Sequence, residues 1–95
     1  KYPAVARDIA LTVKEEVLVA SLEDVIRKNG KDILESVALF DVYRGKPIKA
    51  GEKSVAFNLT YRAADRTLTD EEVSTVHGGV VNALAQQCGA VLREM

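Results

Sequence analysis

Ninety-five residues are enough for one small domain with a single core and too few for a typical two-domain enzyme. Thirteen Lys and Arg against fourteen Asp and Glu give a net charge of −1, so bulk charge holds this chain to neither a nucleic acid nor a membrane, and any such contact has to be local. The single cysteine, Cys88, excludes an internal disulfide framework and fits a reducing, cytoplasmic setting, and no apolar run approaches the length that spans a bilayer.

The chain opens Lys1-Tyr2-Pro3-Ala4-Val5 without an initiator Met or a signal-peptide pattern, which reads as a segment, residues 1–95, excised from something longer. Pro3 disfavours helix at the residue before it and cannot donate to a ladder, so residues 1–7 are expected as an extended lead-in along an edge of the fold. From Asp8 to Lys14 the residues alternate: Ile9, Leu11 and Val13 face one way, Asp8, Ala10 and Thr12 the other, as in a half-buried strand. Ser21 as N-cap, Leu22, Val25 and Ile26 at helical spacing, and Gly30 as stop predict a short amphipathic helix.

Two stretches rich in Val, Phe, Tyr and Leu, Ser36 to Gly45 and Glu52 to Tyr61, flank a segment where two glycines and Pro47 interrupt any regular element; this predicts a long β-hairpin. Alternation puts Val55, Phe57, Leu59 and Tyr61, with Phe40 and Val42, in the core. It leaves Leu39, Asp41 and Tyr43 on the opposite face beside Ser54, Ala56, Asn58 and Thr60. After a polar loop, Thr69 and Glu72 form a capping box and open a second helix, with Val73, Val76, Val80, Val81, Leu84 and Ala85 as its buried stripe and Gly89 as terminator. Gly78-Gly79 interrupts that stripe at a cost of about 1 kcal/mol each relative to Ala, which predicts a local loosening or a close packing contact. Ala90 to Arg93 suits a last short strand.

Strand, helix, strand, strand, helix, strand is the order of an α+β, ferredoxin-like fold: a four-stranded antiparallel sheet with both helices on one face. The other face stays open and carries Asp8, Ala10, Thr12, Leu39, Asp41, Tyr43, Ser54, Ala56 and Asn58. On alternation alone, sheet packing accounts for Tyr43 more readily than ligand binding does.

No phosphate-binding glycine loop, metal-ligand cluster or catalytic triad spacing is present, which argues against catalysis by this segment. His77, the only histidine, is expected on a helix surface, and Cys88 as a small apolar side chain. Asp70, Glu71 and Glu72 at a helix start have a structural explanation in the helix dipole. Arg66 fits either an anion site or a clamp on neighbouring carbonyls or carboxylates. Arg7, Arg44, Lys46, Lys49 and Lys53 gather near the hairpin and lead-in, where phosphate contact and mere solubility are equally good explanations.

Four separated stretches then carry a resemblance: Arg7-Asp8-Ile9-Ala10, Leu39-Phe40-Asp41-Val42-Tyr43-Arg44-Gly45, Gly51-Glu52-Lys53-Ser54-Val55-Ala56-Phe57 and Arg66-Thr67-Leu68-Thr69-Asp70-Glu71-Glu72-Val73. Together, in this order and over essentially the whole chain, they resemble the ferredoxin-fold anticodon-binding domain at the C-terminus of the bacterial phenylalanyl-tRNA synthetase β chain. The resemblance implies a non-catalytic module of an enzyme that charges tRNA(Phe) using ATP and magnesium, with catalysis in a separate α chain and an (αβ)2 assembly. It implies an open sheet face that meets the anticodon loop, the first anticodon base stacking on Tyr43, with Ala10, Asp41 and Ser54 as further contacts.

Such a site is physically coherent, because single-stranded RNA is read by splaying bases onto aromatic planes and bonding their edges. Ala10, Ser54 and Ala56 leave room for a base, Asp41 and Ser54 address its edge or ribose, and Arg7, Arg44 or Lys53 meet phosphates. Neither a membrane nor DNA is an expected partner. The third strand differs from that of an RNA recognition motif, which exposes aromatics where this chain has Ser54, Ala56 and Asn58. The alternative function for the same scaffold is a small-molecule sensor or protein-interaction domain, since a fold by itself fixes no function.

Overall fold

The computed structural model describes residues 2–94; Lys1, the start of the expected lead-in, lies outside them. In chain order the elements are β1 (Val5–Lys14), α1 (Val19–Asn29), a short 3-10 turn (Lys31–Ile33), β2 (Leu34–Tyr43), β3 (Glu52–Tyr61), α2 (Asp70–Cys88) and β4 (Val91–Glu94). The strands form one antiparallel sheet in the order β2-β3-β1-β4. With its two helices this is the expected ferredoxin-like α+β fold.

The core lies between one sheet face and the helices. Ile9, Leu11 and Val13 of β1 and Val55, Phe57, Leu59 and Tyr61 of β3 are buried there with Leu22, Val25 and Ile26 of α1 and Val73, Val80 and Leu84 of α2. Alternation therefore assigns the two central strands correctly. Part of the expected lead-in is already strand: Val5, Ala6 and Arg7 belong to β1 and pair with Tyr61, Thr60 and Leu59 of β3, while β4 pairs with β1 only at Ala10 to Thr12. Pro3, which has no N–H to give, stands just outside the ladder.

Helix α1 starts earlier than a Ser21 cap would allow. Its N-cap is Leu18, without a side-chain cap, and the Ser21 amide already donates to the Leu18 carbonyl at 3.0 Å. Burial of the apolar stripe, rather than capping, decides where this helix begins. Gly30 does end it, but with a right-handed φ of −76°. Glycine is needed here for space, since a Cβ would come within 2.5 Å of the Leu34 side chain at the start of β2.

Helix α2 is capped at both ends as its sequence predicts: the Thr69 hydroxyl accepts from the Glu72 amide at 3.1 Å, and Gly89 closes it at φ +66°. Gly78-Gly79 neither loosens it nor makes a close contact. The helix runs through both residues, and nothing lies within 4 Å of the Cβ either one lacks.

Two further expectations are overturned. His77 is fully buried rather than on the helix surface, its Nδ1 2.8 Å from the Tyr61 hydroxyl and its ring edge-on to that of Tyr61. Burial pushes the Tyr61 phenol up to about 12, so it keeps its proton, and the imidazole tautomer sets which of the two groups donates in this bond. Burial, with the nearby Arg7 charge, holds His77 below its ordinary value, and its Nε2 has no partner among the described residues.

Phe40 is not in the core either. Along β2 the pairing steps from Leu39 opposite Phe57 to Asp41 opposite Ala56, so Phe40 is an extra residue in a β-bulge. The bulge moves Leu39 to the helix side, returns Val42 to the core face opposite Val55, and leaves Phe40 60% exposed.

Candidate functional site

The open face is built in rows across three strands. One row is Ala10 of β1, Ala56 of β3 and Asp41 of β2; the next is Thr12, Ser54 and Tyr43; on the other side lies Asp8, Asn58 and Ala38. Small residues in the centre make a floor that larger side chains border. Asn58 Nδ2 donates to Asp8 Oδ1 at 2.7 Å and closes one side. A cleft of about 320 Å³ opens here, lined by Asp8, Ile9, Ala10, Phe40, Asp41, Ser54, Ala56 and Arg93.

Tyr43 stands beside this cleft with its ring 44% exposed. Its hydroxyl donates to the Lys46 carbonyl at 2.6 Å, which ties the ring to the hairpin turn and fixes its plane. The turn can fold back because Gly45 and Gly51 take φ of +101° and +85°, a region favourable to glycine. Within it the Lys46-Pro47 bond is cis, and Ile48 donates to the Gly45 carbonyl at 2.7 Å. An aromatic plane whose polar end is already satisfied has its face left for a ligand.

Arg93 joins the site although the sequence expectations did not include it. Between the Leu11–Leu92 and Ala10–Glu94 pairs it is an extra residue of β4, and its Nη1 crosses β1 to donate to Ser54 Oγ at 3.0 Å. Ser54 thus accepts from Arg93 and keeps its own O–H to donate. Alternation with the core-side Leu92 was a usable signal for Arg93. For Phe40 the signal was the spacing of three between Leu39 and Val42, which breaks period two and marks a bulge.

Of the expected site residues, the structure brings Ala10, Asp41, Ser54 and Ala56 together around one cleft and sets Tyr43 beside it. It does not bring Arg7, Arg44 and Lys53 there. Arg7 has the parity of Ile9, lies on the helix side and donates to Ser74 Oγ of α2 at 3.3 Å. Lys53 shares the parity of Val55, and its nearly buried side chain ends 3.5 Å from the Glu15 carboxylate. Arg44 grips the same carboxylate with two bonds, at 2.5 and 2.7 Å. The Arg44 hydrogen bonds, aided by Lys53, hold Glu15 down to about 2. Exposed Lys46 and Lys49 remain at the hairpin tip.

Arg66 acts as a clamp: it bonds Asp65 at 3.0 Å and grips Glu72, so the acid of the capping box is held below its ordinary value, chiefly by Arg66 and in part by the Thr69 amide. Burial pushes the Cys88 thiol up, away from reactivity. Among the described residues no three His, Cys, Asp or Glu side chains converge to hold a metal ion. Among the described residues no helix is long and apolar enough to cross a membrane.

The family model described as the ferredoxin-fold anticodon binding domain matches residues 1–93. Phenylalanine–tRNA ligase beta subunits are among its relatives: that of Shouchella clausii is 53% identical over 98% of this chain and 12% of its own length. That of Clostridium tetani is 54% identical over the same shares, and that of Geobacillus kaustophilus 50%. The chain thus spans about an eighth of the relatives it matches. With the fold and a match over residues 1–93, the chain belongs to the ferredoxin-fold anticodon binding domain family.

Proposed function

We propose that this chain is the anticodon-reading module of a phenylalanine–tRNA ligase β subunit, which positions tRNA(Phe) for aminoacylation by seating the first anticodon base against Tyr43. The observation that carries this reading is the Tyr43 ring, tied through its hydroxyl to Lys46 and half exposed beside the Ala10, Asp41, Ser54 and Ala56 cleft. A base stacked on that plane brings its edge to Asp41, whose carboxylate accepts from base N–H groups, and to the Ser54 O–H, which donates to a base carbonyl. Guanine offers both complements and adenine does not. The ligase would supply the α chain, the (αβ)2 assembly, and the ATP and magnesium chemistry outside this domain, in the cytoplasm.

The phosphate role first given to Arg7, Arg44 and Lys53 passes in this reading to Arg93 and to Lys46 and Lys49 at the hairpin tip. With few such cations, the module contributes selectivity more than affinity. The test is an amide-shift NMR titration of the chain with the tRNA(Phe) anticodon stem-loop, repeated with the first anticodon base changed from guanine to adenine. Shifts confined to Ala10, Asp41 to Arg44, Ser54 to Ala56 and Arg93, weakened by the base change, support the reading. Shifts elsewhere, or equal binding of both RNAs, would point to a docking or sensor role instead.

A further inference from the structure

The geometry points to Phe40 as a second base platform, which holds the nucleotide next to the one seated on Tyr43. The inference rests on the anticodon-reading function proposed above and adds a residue to it. Phe40 is 60% exposed and lines the open-face cleft together with Asp41 and Ala56. It reaches that face only through the β-bulge between Leu39 and Asp41. Bulges of this kind re-aim one side chain while the ladder on either side is kept. A large apolar ring turned toward water beside a cleft contributes little to folding, and a π-face there is what an unstacked base needs.

Spacing separates the two platforms. Phe40 sits in the bulge before Asp41 and Tyr43 lies two register steps beyond Asp41, so the two leave the strand at least roughly 7 Å apart at about 3.3 Å per residue. That is more than the roughly 3.4 Å step of a continuous stack. It suits two neighbouring bases splayed apart, the arrangement in which single-stranded RNA exposes base faces and edges together. Asp41 lies between the two along the strand and lines the same cleft as Phe40, where it can address the edge of a bound base.

The test is a binding cycle on the assembled ligase that carries this domain, with tRNA(Phe) intact or made abasic at the first anticodon position or at either neighbouring position. Phe40→Ala should raise the Kd for intact tRNA(Phe) roughly 5- to 100-fold, and Phe40→Tyr should restore most of it. The loss should vanish when the neighbouring base is missing and persist when the first base is missing; the reverse should hold for Tyr43→Ala. If Tyr43→Ala weakens binding while Phe40→Ala does not, or if the Phe40 loss is the same for every abasic tRNA, the second platform is overturned and the anticodon-reading function stands. If neither substitution changes the Kd, the anticodon-reading function falls with it. A Phe40→Ala enzyme that binds normally but assembles less tightly would overturn the platform in favour of a contact with the rest of the synthetase.

Discussion

Tyr43 and Tyr61 end the two long strands of the hairpin and do opposite things, because one lies on the open face and the other in the core. Tyr43→Ala removes an exposed aromatic plane without opening the core, so on the proposed function the ligase carrying it should keep its melting temperature while KM for tRNA(Phe) rises roughly 5- to 100-fold. Aminoacylation kinetics at varied tRNA concentration check this; an unchanged KM would remove Tyr43 from the site. Tyr61→Phe instead removes the hydroxyl partner of buried His77 and should cost about 1–3 kcal/mol of stability, read from urea unfolding. His77 also makes stability depend on pH. Unfolded, it takes up a proton near 6.5; folded, its lowered value delays uptake, so below about 6.5 the unfolded state binds more protons and stability falls. The urea midpoint should be lower at pH 5.5 than at pH 7.5, and His77→Gln should flatten that difference.

Local chemistry dictates some elements completely and others only in part. Both ends of α2 were legible because a hydroxyl cap and a left-handed glycine act within a few residues. The start of α1 was not, because Leu18 and Val19 enter the helix through packing and no local cap marks them. Gly78 and Gly79 show the converse: propensity alone argued for a defect, yet packing on either side carries the helix through. Since a methyl group at either position meets nothing within 4 Å, Gly78→Ala and Gly79→Ala should each stabilise the domain by about 1 kcal/mol, with close to twice that for the pair. Thermal unfolding of the three variants checks it, and a destabilised variant would mean that the added methyl meets a neighbour within the domain after all.

At the scale of the molecule, two ten-residue hairpin strands make the domain 45 Å long and only about 20 Å across, with a single-layer core on one side of the sheet. Phe57→Ala in that core should cost about 3–5 kcal/mol, much of the stability of a domain this size, and circular dichroism during denaturation would show it. The same single layer explains why the open face tolerates polar and small side chains: both helices pack on the other side of the sheet. The sequence by itself determined the fold class, the buried faces of β1 and β3 and the membership of Ala10, Asp41, Tyr43, Ser54 and Ala56 in one face, because period two and capping chemistry are local and survive any arrangement of neighbours. Only the tertiary structure decided that Phe40 turns outward, that Arg93 crosses β1 to Ser54, that Arg7 and Lys53 find Ser74 and Glu15 as partners and that His77 is buried. Those outcomes depend on strand register, on bulges that shift it by one residue, and on which partner lies opposite, and a one-residue shift exchanges the faces of every residue beyond it.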